Sequence, residues 1–155
     1  MIMNIAWVFL DKKLATVNAL RAYDGMDHAI KHTDEDIRKV EERMRDTGSP
    51  KITGMPGGPH NPHATEQKIV DGIEEINTLK ERYRQAVEYM KWFQPAWEHL
   101  SDEERDVLEM FYVDKKYGDG AAEALSEKYH IGRSSAYRVK DLAVKRLTQM
   151  LYGLV

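Results

Sequence analysis

Residues Ala121–Leu151 read AAEALSEKYHIGRSSAYRVKDLAVKRLTQML. The spacing predicts a helix, a tight turn and a second helix. In the first helix Ala121, Ala122, Leu125 and Tyr129 share one face, while Glu123, Glu127 and Lys128 face away. Ile131 follows as an apolar plug. Gly132 supplies backbone freedom that larger residues reach only at a cost, and Gly132 or Ser134 is the expected N-cap of the next helix. That second helix, Arg133 to Leu151, is expected to bury Ala136, Val139, Ala143 and Leu147, with Leu142 and Met150 at the flanks.

The opposite face of the second helix carries Tyr137, Arg138, Lys140, Lys145 and Arg146. From Ala121 onward the bases Lys128, Arg133, Arg138, Lys140, Lys145 and Arg146 outnumber the acids Glu123, Glu127 and Asp141. Just upstream the sign is reversed: Glu98, Asp102, Glu103, Glu104, Asp106, Glu109 and Asp114 stand against Arg105. The whole chain has a formal net charge of -3, yet a local basic face attracts DNA phosphates inside an acidic total. Helix, turn and basic helix together have the layout of a helix-turn-helix that places its second helix in a major groove. On this reading Lys140, Lys145 and Arg146 mainly hold the backbone.

The run Ala122–Leu147, AEALSEKYHIGRSSAYRVKDLAVKRL, resembles region 4 of sigma-70-type factors without a gap. Its apolar pattern falls on Leu125, Tyr129, Ile131, Ala136, Val139 and Leu147, and the arginine opening the family's recognition helix falls on Arg133. The family favours an acid and arginines where this chain has Ser134, Ser135 and Tyr137. The resemblance implies that Arg133, Ser134, Ser135, Tyr137 and Arg138 face bases and nearby phosphates, with the backbone contact carried over but a different base preference. Further upstream, SPKITGMPGGPHNP, a long acidic helix and LSDEERDVLEMFYV are similar to phage and prophage regulators of the ArpU and RinA type. The implied function is regulation of phage or prophage transcription, with double-stranded DNA and RNA polymerase as partners. A full sigma factor is not implied, because the domain that melts the promoter has no counterpart in the sequence.

Two long helical segments precede this region. From about Leu14 to Arg45, Tyr23, Met26, Ile30, Thr33, Ile37, Val40 and Met44 recur at alternating spacings of three and four. From about Thr65 to Phe93, Ile69, Ile73, Ile76, Tyr83, Val87 and Met90 follow the same rhythm, with Lys80 interrupting it. Neither helix can bury such a stripe alone. Between them, Thr47–Ala64 holds Pro50, Pro56, Pro59 and Pro62, which forbid a continuing helix. The expectation is an all-α chain: an antiparallel, coiled-coil-like helical hairpin over residues 1–99 with its linker at 47–64, then a helix-turn-helix domain over 100–155. The same stripes also fit a homodimer formed through the hairpin. Pro95 is expected to break the second helix amid Trp92, Phe93, Trp97 and Leu100. Ser101 with Glu104 has the capping-box spacing, Val107, Leu108 and Phe111 supply a core face, and Tyr117–Gly120 is expected to turn.

With 155 residues the chain suits one or two small domains. Cysteine is absent, which removes disulfides and thiolate metal sites and fits a reducing cytoplasm, the expected location. The opening MIMNIAWVFLDKK has an apolar run of about six residues, too short to span a bilayer, and lacks a signal-peptide pattern. No membrane partner is expected; the run reads as a helix start or a packed terminal arm, and the consecutive Trp7, Val8, Phe9 and Leu10 also fit a partner-binding patch. Asp24, His28 and His32 share a helix face but lack the pattern that completes a metal site. His60 and His63 read as loop residues, and Met55–Gly58 is not a phosphate loop because no Lys-Ser/Thr follows. No nucleophile elbow or paired catalytic carboxylates stand out. The chain is therefore read as a non-enzyme with no cofactor and no metal. The runner-up reading is a phage DNA-packaging protein similar to a small terminase subunit, or a coiled-coil assembly protein.

Overall fold

The computed structural model describes residues 10–46 and 62–153. Five α-helices account for most of them: α1 (Lys12–Asp46), α2 (Pro62–Glu98), α3 (Asp102–Leu108), α4 (Ala121–Tyr129) and α5 (Arg133–Tyr152). A π-helical turn, Glu109–Val113, continues α3, and a 3-10 turn, Gly118–Gly120, leads into α4. No strand occurs among the described residues. The apolar N-terminal run through Phe9 and most of the expected linker, residues 47–61, lie outside the described residues. None of the described helices is long and apolar enough to cross a membrane.

The chain divides into two units, one of Met1–Gly25 with Tyr89–Val155, the other of Met26–Glu88. The boundary expected at residue 99/100 thus falls inside the first unit. That unit takes the start of α1 and the end of α2 as structural parts. Ala19 and Leu20 from α1, Phe93, Ala96, Trp97 and Leu100 from the end of α2, Leu108, and Ala143, Val144, Leu147 and Leu151 from α5 form one buried cluster. Phe93 is fully buried, with its ring stacked 5.2 Å from Tyr89 and 5.7 Å from Trp97. The Tyr89 hydroxyl donates to the Ala19 carbonyl at 2.6 Å, and burial pushes its pKa well above the ordinary phenol value. A second cluster, Val107, Met110, Leu125 and Ala136, is flanked by Phe111, Tyr117, Tyr129 and Ile131. Buried Thr16 and Thr148 satisfy their hydroxyls on the carbonyls four residues back, Lys12 and Val144.

Pro95 does not end α2, which runs on to Glu98. A proline costs a helix one amide bond and crowds the carbonyl four residues back. Here the helix needs only one more turn, and Phe93, Ala96 and Trp97 are clamped in the core on either side. The expected capping box forms: the Glu104 amide donates to the Ser101 hydroxyl at 3.2 Å, and the Ser101 amide to the Glu104 carboxylate at 3.1 Å.

In the second unit α1 and α2 pack antiparallel. Met44 lies against Gly72, and Arg43 reaches Glu75 at 2.9 Å. Asp36, Lys39 and Val40 share a groove with Leu79. On α1 the expected seam faces inward: Thr33 and Val40 are buried, and Met26, Ile30, Ile37 and Met44 are half-buried. On α2 the seam is rotated from the expected one. Gly72 and Ala86 are buried and Ile76 and Leu79 half-buried, whereas Ile69, Ile73 and Tyr83 are exposed. The rotation turns Lys80 to solvent and admits Leu79 in its place. It also uses Gly72, where an added Cβ would meet the Met44 side chain at 2.6 Å. His28 and His32 lie one turn apart with ring centroids at 4.3 Å. No group of three or more metal-ligating side chains occurs among the described residues.

Candidate nucleic-acid interface

Helix α4 buries Ala121, Ala122 and Leu125, as its spacing demands. It ends at His130, the non-glycine residue among those described with a left-handed backbone, φ 53°. The His130 amide donates to the Ser126 carbonyl. The Ile131 amide reaches the same carbonyl at 3.1 Å, and the Ser126 hydroxyl donates back to the Ile131 carbonyl. Ile131 then packs beside Leu125 and Ala136. Gly132 is the N-cap in an extended conformation, and its carbonyl accepts from the Ala136 amide at 2.9 Å. Three residues thus redirect the chain, and the fully buried Ala136 occupies the junction.

Helix α5 is rolled slightly from the expected orientation. Ala136, Ala143 and Leu147 are buried as expected, but Val139 is 37% exposed, and Val144 and Thr148 take its place in the core. At 100° per residue, this roll points Ser134, Arg138, Leu142, Lys145 and Gln149 outward, all of them exposed. The eight candidate residues separate accordingly. Ser134, Tyr137, Arg138 and Lys145 line one groove of about 580 Å³, together with Leu142 and, from α1, Lys13.

The other candidates are engaged elsewhere. Lys140, expected on the outward face, is a correction: two residues beyond Arg138 it is turned about 160° away from it. Its side chain is only 18% exposed, with its amine 2.8 Å from Asp141 and 5.7 Å from the rings of Phe111 and Tyr137. Arg133 lies 3.4 Å from Glu123, and a hydrogen bond with Tyr137 and the charge of Glu123 raise its pKa further. Arg146 lies 3.6 Å from the Glu104 carboxylate of the capping box. Ser135 is half-buried. Tyr137, which lines the groove, is exposed and set edge-on to Phe111 at 6.0 Å.

Behind this surface the acidic segment is tied to α4. Asp106 accepts from Lys128 and from the Tyr129 hydroxyl, both at 2.6 Å. Burial pushes the Asp106 carboxyl up, but those two hydrogen bonds outweigh it and hold its pKa below the ordinary value. The bond to Asp106, with burial, pushes the Tyr129 hydroxyl up to about 12.

Lys13 was not legible as part of this surface. Its sequence signal is a Lys-Lys pair at the start of a helix, and no periodicity relates it to residues 134–145. Among the described residues, Lys13, Arg138 and Lys145 have no ion-pair partner. Compared with known proteins, this chain matches no family model, and neither a curated protein nor a solved structure gave a match.

Proposed function

We propose that this chain is a sequence-specific DNA-binding regulator of phage or prophage transcription, with α5 entering a major groove in the manner of sigma region 4. One observation carries the reading: Arg138 and Lys145 stand on the outward face of a helix redirected by a three-residue turn, exposed and without a carboxylate partner among the described residues. Unpaired surface cations bind phosphate without first giving up an ion pair. Arg138, with Ser134 and Tyr137, is assigned to the base edges and the phosphates beside them, and Lys145 to the backbone alone. Arg133, Lys140 and Arg146 would exchange Glu123, Asp141 and Glu104 for phosphate. Ser135, half-buried, is assigned a backbone contact.

The test is a selection from a random duplex library with the purified chain at moderate salt. A recovered consensus is expected, and its symmetry reports whether one or two copies read it. Arg138→Ala should then weaken specific binding more than nonspecific binding. Recovery of no motif would remove the sequence-reading role.

A second reading is an assembly or DNA-packaging protein, favoured by the exposed Ile69, Val70 and Ile73 on α2, which suit contact with another helix. Particle mass in solution separates the two. A ring of many copies supports packaging; a monomer, or a homodimer through α1 and α2, supports the regulator. RNA polymerase is the partner proposed for the regulator at its promoter, and a pull-down with purified polymerase tests it.

A further inference from the structure

We propose that the start of α1 belongs to the DNA-contacting surface, with Lys13 joining Arg138 and Lys145 to hold the phosphate backbone in the groove beside α5. The inference rests on the DNA-binding reading and extends it to a residue remote in sequence from the two reading helices. Lys13 lines the same groove as Ser134, Arg138 and Lys145. None of the three cations has a carboxylate partner among the described residues, although Arg133, Lys140 and Arg146 on the same helix each have one. Three cations left unpaired on one concave surface repel one another, and an anion relieves that repulsion.

Lys13 is held by a rigid element rather than by a loose arm. The Asp11 carboxylate accepts from the Leu14 amide at 3.0 Å and caps α1. Thr16 and Leu20, one and two turns further on, are fully buried. The acid that shares the groove, Asp141, is 2.8 Å from the Lys140 amine, which offsets its repulsion of phosphate.

Arg138 and Lys145 lie two turns apart, about 10 Å along the axis at 1.5 Å per residue. A strand of duplex DNA carries a charge about every 3.4 Å of its axis, so this span covers about three such steps. The ligand is the backbone of duplex DNA, and the contact made by Lys13 and Lys145 is indifferent to sequence.

The test uses the full-length chain and a fluorescein-labelled duplex of random sequence. Binding is followed by anisotropy at several salt concentrations for the wild type, Lys13→Ala, Lys13→Arg, Arg138→Ala, Lys145→Ala and Lys91→Ala. Lys91 is an exposed lysine of the same unit that does not line the groove. Each lost phosphate contact lowers the slope of log K against log salt by about 0.9. Lys13→Ala is expected to lose about that amount, as Lys145→Ala does, while Lys13→Arg and Lys91→Ala keep the wild-type slope. A wild-type slope in Lys13→Ala, with lowered slopes in Arg138→Ala and Lys145→Ala, overturns the role of α1 and leaves the DNA-binding reading standing. Weaker binding of Lys13→Ala at unchanged slope and lowered melting temperature also overturns it, because Lys13 would then support the fold alone. No binding by the wild type at any salt removes the DNA-binding reading itself. Tight capture of an acidic peptide in place of duplex would assign the groove to a protein partner.

Discussion

In the unit that contains α3, α4 and α5, Leu20, Phe93, Leu108, Val144 and Leu147 come from four different helices and are almost wholly removed from solvent. Among the described residues of the unit 26–88, only α1 and α2 contribute. The buried ones among them are Thr33, Val40, Gly72 and Ala86, while Ile73 remains 49% exposed. The difference follows from geometry. A helix presents an apolar arc wider than one neighbour can cover, so a pair of helices shares a narrow seam and leaves its flanks wet. Several helices converging on one point cover the arc from all sides. The multi-helix unit can therefore hold a surface such as the Arg138 face in fixed geometry, and the helix pair exposes apolar side chains of the kind that recruit another helix.

Substitution at matched depth should make the contrast measurable. Phe93→Ala is expected to cost about 3–5 kcal/mol, the usual range for emptying a buried aromatic site. Val40→Ala, at the seam of the helix pair, should cost about 1–2 kcal/mol from the lost methyl groups. Denaturant titration of both variants checks this, and equal losses would mean that the seam is as cooperative as the core. Amide exchange should likewise be slower in α5 than in residues 26–46 of α1.

A smaller effect is expected from Asp106→Asn, which removes the carboxylate shared by Lys128 and Tyr129. Asp106 has a lowered folded-state pKa. Its contribution is thus complete above the unfolded value near about 4 and is lost as pH falls through the folded value. Melting temperatures of the wild type and Asp106→Asn should differ at neutral pH and converge in acid. A gap that persists in acid would assign the effect to packing instead.

The smallest effect is of opposite sign. His130 is exposed and left-handed, so His130→Gly gives up little packing and relieves backbone strain. A gain of up to about 1 kcal/mol is expected, and His130→Val should be destabilising. A loss of stability in His130→Gly would show that the imidazole supports the turn.

Most of the local structure was legible. The residues that end α4 and start α5, the Ser101–Glu104 cap and the seam of α1 all follow from spacing and side-chain chemistry. The seam of α2 did not. Ile69, Ile73 and Ile76 make one helical stripe, and Gly72, Ile76, Leu79 and Ala86 make another rotated from it, with Ile76 common to both. Hydrophobicity favours the first stripe. Contact with α1 selects the second, because the smaller residues let the helices approach and keep Lys80 wet. In the candidate site, helical spacing makes both outcomes legible: Arg138 and Lys145 point outward, while Lys140, four residues after Ala136 and three before Ala143, shares their inward face.

The sequence by itself determined that this chain is helical, where α3 begins, where α4 and α5 begin and end, and that α5 carries an excess of positive charge. These are local properties, set by neighbours within a turn or two. The tertiary structure decided which cations remain unpaired and that Lys13 stands beside Arg138 and Lys145. Those outcomes depend on which helices meet, and residues more than a hundred positions apart come together only when the buried cluster of Leu20, Phe93 and Leu147 forms.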